Sequence, residues 1–334
     1  MSAGAEQLPL LPPEPSWKVL DERARGTQFI AITPRSVLNS PATTGMDFWS
    51  VNPYVGCEFG CSYCYAREPH RHAAEREARR IAAGTPRRSG DAAPLLEPLP
   101  PWLAFERQIL IKEGAADRLT RTLDPSKVGG HTVMIGTATD PYQPAERRFR
   151  ITRSLLEALA AYRDISVGLI TKSPLVTRDI DLFRRIAGRG RMRVHISLAT
   201  LDARLARRLE ARSPIPAVRL RALERLVSAG IDARLLVAPV LPGITDGTKA
   251  LGRLLAAARR AGARYVSAGA LRLGPAARAT FLPLLEREFP DLWRRYHLSY
   301  QRSVKAPEAY RQALEERMAA LRERHGYLPS PEMD

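Results

Sequence analysis

The chain has 334 residues, 45 % of them hydrophobic, and a formal net charge of +17. That hydrophobic share is ordinary for a folded globular chain, and three cysteines are too few for a disulfide scaffold. No run approaches the roughly 18–20 apolar residues of a membrane helix, and Met1 to Leu11 shows no basic-then-apolar leader. The expectation is a cytoplasmic protein of one large or two small domains with no membrane partner.

In chain order, residues 1–45 read as an irregular arm, because Pro9, Pro12, Pro13 and Pro15 deny it helix hydrogen bonds. A first apolar run follows, FWSVNP at 48–53. Residues 71–100 form a second irregular block. RHAAEREARRIAAG could be a short exposed helix, and TPRRSGDAAP a mobile loop, and no role is assigned to either.

Five more runs come after it: TVMIGTATD (132–140), ISVGLITKS (165–173), MRVHISLAT (192–200), ARLLVAPV (233–240) and RYVSAGAL (264–271). Runs of four to six Val, Ile, Leu and Met fit strands buried on both faces. Helical spacing lies between them, with Leu155, Leu156, Leu159 and Tyr162 on one stripe and Leu251, Leu254, Leu255 and Ala258 on another. Strands separated by helices imply right-handed βαβ units and a parallel sheet. Six strands are too few for a closed eight-stranded barrel, so the fold expected is α/β, a partial (β/α)6 barrel over residues 46–275. Residues 276–334 are expected to be a helical extension, with Tyr310, Leu314, Met318 and Leu321 as its packing stripe and Gly326 as its stop.

All three cysteines fall in NPYVGCEFGCSYCYA, as Cys57, Cys61 and Cys64 with C-x3-C-x2-C spacing. An intracellular cluster of this kind points to metal rather than disulfides. Thiolates suit zinc or iron–sulfur. A structural zinc wants a fourth protein ligand, and the nearest candidates, His70 and His72, sit in an Arg/Ala-rich stretch that reads as solvated. Three thiolates without a fourth ligand suit a [4Fe–4S] cluster with one iron left open. Gly56 and Gly60 let the loop curl so that its sulfurs face one centre. The loop follows the first expected strand, which places it at the C-terminal mouth of the barrel.

This motif, with Tyr63 before its last cysteine, resembles the radical S-adenosylmethionine (radical SAM) superfamily. TATDPYQPAE (137–146), ITKS (170–173) and HISLATLD (195–202), in that order, resemble more narrowly its spore photoproduct lyase-related, DNA-repair-photolyase-like branch, from about Phe48 to Leu271. The resemblance implies an enzyme in which the open iron chelates S-adenosylmethionine. Reductive cleavage then yields a 5′-deoxyadenosyl radical that removes hydrogen from substrate. It also implies an electron donor such as flavodoxin or ferredoxin, and favours a nucleic-acid substrate.

Lys172, one of six lysines, stands at a strand end where a cation would meet the methionyl carboxylate, the role the resemblance implies; otherwise it is a solvent-facing lysine. Ser197 is a hydroxyl at the mouth or a small core-edge residue. Thr137, Thr139 and Asp140 suit an ammonium and a ribose, unless Asp140-Pro141 merely opens a turn that Thr139 caps. Glu146 reads as a first-turn helix residue. Tyr63 and Tyr65 would shield the cluster, and the resemblance also implies a radical relay for them. Pro239 and Gly243 would bring backbone close to the adenine. One departure stands out. The lyase uses a fourth cysteine near the end of strand two as hydrogen donor, and this chain has none, so repair by that route is not expected.

The charge weighs less than it first appears. Of the 52 basic residues 46 are Arg, in a chain also rich in Ala and Pro, a pattern that GC-rich coding produces by itself. The basic excess still favours a polyanion partner. A zinc-stabilised nucleic-acid-binding module without catalysis, and radical chemistry on a small molecule or protein, are the alternatives.

Overall fold

The computed structural model describes residues 19–23, 26–34, 36–70 and 101–329. The stretches 71–100 and 1–18, with His72 among them, lie outside the described residues.

Eleven strands are described: β1 Val19–Arg23, β2 Thr27–Ile32, β3 Leu38–Asn39, β4 Trp49–Val51, β5 Tyr54–Val55, β6 Gln108–Lys112, β7 Thr132–Ile135, β8 Ser166–Thr171, β9 Arg191–Ser197, β10 Asp232–Val240 and β11 Val266–Ala270. The larger sheet runs β11-β10-β9-β8-β7-β4-β3. Its six strands from β4 to β11 are parallel neighbours, and β3 closes the edge antiparallel to β4. Each of the six apolar runs holds one of these strands. Among the described residues the end strands β11 and β3 do not pair with each other, so the barrel is partial.

The strands face a helical layer with one side. Val133, Leu169, Val194 and Leu235 pack against Leu155, Leu156 and Leu159 of the helix Ile151–Leu159 and against Leu251, Leu254, Leu255 and Ala258 of Thr248–Arg260, all buried in one core. Tyr162 lies beyond the end of its helix, and partly buried. Because strand side chains alternate, the other side of β9 carries Arg193, His195 and Ser197 into the barrel.

The structure departs from the sequence expectation in the N-terminal arm. Residues 19–45, read as irregular, hold β1, β2, β3 and a short helix Pro41–Thr44. β2 pairs in parallel with β6, and β5 joins from the cysteine loop side, giving a second sheet β1-β2-β6-β5. The C-terminal part consists of the helices Pro275–Glu288, Pro290–Tyr300 and Glu308–Arg324. Leu314, Met318 and Leu321 bury in the main core as their spacing predicts, with Tyr310 half-buried beside them. Phe281, Tyr296 and Tyr300 instead build a second core with Phe59 and Tyr63 of the cysteine loop. Among the described residues no helix is long and apolar enough to cross a membrane.

Candidate active site

The cysteine loop leaves β4 at its C-terminal end and turns sharply. Gly56 has φ +90° and Gly60 φ +63°, and a Cβ at Gly56 would stand 2.9 Å from the Phe105 carbonyl oxygen. Only glycine takes this path without strain. The loop is then pinned from outside. Cys57 N–H donates to Phe105 O (2.8 Å), Ser62 N–H to Leu209 O (3.0 Å), and Arg212 N–H to Phe59 O (3.0 Å). All three cysteines are free thiols, and Cys57 and Cys61 are buried.

They open on a cavity of about 310 Å³ at the C-terminal ends of the parallel strands, large enough for a small ligand. The cavity is also lined by Tyr63, Tyr65, Thr139, Asp140, Lys172, Ser197 and Pro239, so the fold brings all ten expected site residues to one place. Thr137 lines it too, whereas Gly243 packs against Leu292 and does not. His70 is buried edge-on to Phe105, neither ring nitrogen is hydrogen-bonded among the described residues, and it does not line the cavity. It therefore supplies no fourth ligand there.

The hydrogen bonds show what several of these side chains are already committed to. Thr139 donates its hydroxyl hydrogen to Gly56 O (2.5 Å) and accepts from Gln143 Nε2 (2.9 Å). Asp140 Oδ1 accepts from Thr171 Oγ1 (2.6 Å) and Tyr142 N–H (2.9 Å), while Oδ2 accepts from the Lys172 N–H (2.8 Å). Burial pushes the Asp140 carboxyl up, and these donors pull against it. Tyr65, exposed at the rim, donates to the Thr137 carbonyl. Ser197 donates to Ala238 O (3.2 Å). The TATDPYQ segment thus ties the cysteine loop to the end of β8. Glu146 opens its helix as expected, but its fully buried carboxylate accepts from Arg178 Nη2 (2.7 Å) and the Thr152 N–H (2.9 Å), away from the cavity.

Lys172 is the exception. Its ammonium has no hydrogen bond among the described residues, and it stands 5.8 Å from the Tyr63 ring centroid and 3.9 Å from Glu210 Oε1. Burial opposes its charge, yet the Cys61 sulfur and the Glu210 carboxylate outweigh burial and raise its pKa. Burial pushes the Cys61 thiol up to about 11 and the Cys57 thiol well above its usual value. Burial therefore keeps both thiols protonated when no metal is bound, and coordination to a metal would displace those protons.

Sequence reasoning missed the residues behind the wall. Glu210 and Arg219, both buried, form an ion pair, and Tyr63 donates its hydroxyl to Glu210. Ser213 Oγ lies 3.6 Å from Cys61 Sγ. Asn52 bridges β4 to the end of β7, donating to Thr137 Oγ1 (3.1 Å) and accepting from Ala138 N–H (2.8 Å).

The donor set fits an iron–sulfur cluster. Among the described residues no three His, Cys, Asp or Glu side chains gather closely enough to hold a single ion. Cluster thiolates each bind a different iron and so need no such convergence.

A model of the radical SAM superfamily matches residues 51–255. An uncharacterized protein of Mycobacterium tuberculosis is 33 % identical over 298 residues, covering 89 % of this chain and 80 % of its own. One of Methanocaldococcus jannaschii is 23 % identical over 222 residues, covering 66 % and 70 %. Among solved structures, a spore photoproduct lyase mutant aligns with TM-score 0.62 at 13 % identity, over 90 % of this chain and 80 % of its own. Another mutant of that lyase, with bound S-adenosylmethionine and dinucleoside spore photoproduct, aligns with TM-score 0.58 at 15 % identity over the same shares. At these identities the two structures speak for the fold. The superfamily match spans more than half of a chain whose three motif cysteines open on one cavity at the strand ends, and the chain belongs to the radical SAM superfamily of enzymes.

Proposed function

We propose that Cys57, Cys61 and Cys64 hold a [4Fe–4S] cluster in this cavity, that S-adenosylmethionine binds beside it, and that the radical so formed takes hydrogen from a nucleic acid. The carrying observation is that three thiols, two of them buried, and one ammonium with unused donors line the same cavity. When bound, the group supplies reductive cleavage of the sulfonium and a 5′-deoxyadenosyl radical. The protein contributes the rest. Lys172 offers a cation to the methionyl carboxylate. Ser197 and the TATDPYQ segment form the polar wall. Phe59, Tyr63 and the Phe281–Tyr296–Tyr300 core keep water from the sulfurs.

Support for a nucleic acid comes from three sides. The chain carries +17. Arg272 stands exposed on the cavity rim, and among the described residues its side chain makes no hydrogen bond or ion pair. One solved protein of the same fold was captured with a dinucleoside photoproduct. All three cysteines are committed to the loop, so the hydrogen returned to the substrate comes from a group other than a fourth cysteine. A flavodoxin or ferredoxin is the electron donor this reading calls for.

The test is anaerobic. The reconstituted protein, given dithionite and S-adenosylmethionine, should release 5′-deoxyadenosine, and single-stranded DNA, duplex DNA or RNA should raise that release. Uptake of one zinc without iron, and no cleavage, contradicts the cluster. Cleavage that no nucleic acid stimulates contradicts the substrate class and leaves the cluster chemistry standing.

A further inference from the structure

Glu210 does not line the cavity, yet it touches three groups that shape it. Its side chain is 3 % exposed and its partner Arg219 1 %. One carboxylate oxygen, Oε2, is taken by Arg219. Arg219 is itself fixed, donating to Pro214 O (2.7 Å) and Ser197 O (3.1 Å). The other oxygen, Oε1, accepts the Tyr63 hydroxyl and lies 3.9 Å from Lys172 Nζ. The backbone of Glu210 bridges to Cys61. The carboxylate is therefore held rigidly from behind and presents one edge toward the cavity.

Lys172 has the opposite character. Its ammonium rides on a four-carbon stem with rotatable bonds. The cysteine thiols lie near it, and a flexible cation left without an anchor would swing toward them. At 3.9 Å the contact with Glu210 is an ionic attraction and not a hydrogen bond. It fixes where the ammonium sits and uses none of its three N–H donors. Those donors remain for a carboxylate arriving in the cavity. The negative charge that does this would repel such a carboxylate, but Arg219 neutralises it.

We propose that Glu210 is a positioning residue: locked by Arg219, it holds the Lys172 ammonium at the cavity wall with its donors free to take the carboxylate of S-adenosylmethionine. This rests on the reading of Lys172 given above.

The experiment measures S-adenosylmethionine binding to the reconstituted protein by equilibrium dialysis without reductant, beside iron content. Glu210→Gln should keep about four irons per chain and bind roughly tenfold more weakly. In a Lys172→Ala background, the same substitution should change binding hardly at all, because the effect passes through the ammonium. Should Glu210→Gln fail to fold with Arg219 left unpaired, Glu210→Gln with Arg219→Gln removes both charges and carries the same comparison. Unchanged binding in Glu210→Gln overturns the proposal. So does an equal loss with and without Lys172, which marks a purely structural role. If Lys172→Ala alone binds normally, the reading of Lys172 falls and this proposal falls with it. Failure of the unaltered protein to take up iron refutes the cluster itself.

Discussion

Cys61 sits where loop and wall meet, its backbone bridged to Glu210 and its sulfur beside Ser213. Cys61→Ala should abolish both the iron content and the release of 5′-deoxyadenosine, measured on one anaerobic preparation. Turnover surviving the substitution contradicts its place as a ligand. Lys172→Ala should leave the irons in place and weaken cofactor binding; loss of the iron would assign it a structural role instead. The cysteines and Lys172 were legible in the sequence for the same reason, scarcity combined with position at a strand end. Glu210 was not. It lies 147 residues from Tyr63, in an Arg-rich run, ARRLEARSP, whose charges read as a solvated face. Only the chain path that lays Leu209–Ser213 against the cysteine loop shows that this one carboxylate is buried. Thr139 shows the reverse limit. Its place at the cavity was readable, but not that its hydroxyl hydrogen is given to Gly56.

At the scale of elements, the turn after β7 combines a positive φ with close backbone packing. Gly136 has φ +92°, and a Cβ there would stand 2.6 Å from Pro141 Cδ and 2.7 Å from Ile170 O. Gly136→Ala should cost more than about 1 kcal/mol of stability and pull the TATDPYQ segment off β8. Denaturant titration reads the first effect and cofactor binding the second. A variant as stable as the parent contradicts this account of the turn. The six parallel strands could be read because each is a short apolar run bounded by polar or small residues. β2 and β6 were missed because their partners are remote: Gln28 pairs with Gln108 and Ile32 with Lys112. A short apolar run in a proline-rich arm gives no sign of where it will pair.

Strand β9 also buries a histidine, His195, and the helical turn after the cysteine loop buries His70. Burial, reinforced by the nearby Arg234 and Arg193, lowers His195 to about 4, against a weaker pull from Asp232. Burial and Arg67 do the same to His70. Between pH 6.5 and about 4 the unfolded chain binds protons that the folded chain refuses, so stability falls as pH falls through this window. At pH 5 the loss is about 2 kcal/mol per histidine relative to neutral pH. Denaturant curves at pH 6.5 and pH 5 should show it, and His195→Gln should remove about half of the difference. An unchanged difference in the variant contradicts the burial of a neutral His195.

For the molecule as a whole, the question is what the charge of +17 does. Arginine-rich coding and nucleic-acid binding predict the same composition and different behaviour. If the cavity rim meets a phosphate backbone, affinity for DNA or RNA falls steeply with salt, and Arg272→Ala lowers both the affinity and the slope. If the charge is only compositional, Arg272→Ala leaves the slope unaltered. The superfamily and its fold were legible from four ordered motifs, because strand-end motifs report a shared architecture. The substrate was not, because none of those motifs specifies it.

The central claim is that three thiols and Lys172 form one working site for a cluster and S-adenosylmethionine. It is tested most directly by anaerobic reconstitution followed by dithionite and S-adenosylmethionine, with 5′-deoxyadenosine quantified against iron content. The account predicts about four irons per chain and 5′-deoxyadenosine release that disappears in Cys61→Ala. Zinc uptake without iron, or a fully loaded cluster that never cleaves S-adenosylmethionine, would contradict it.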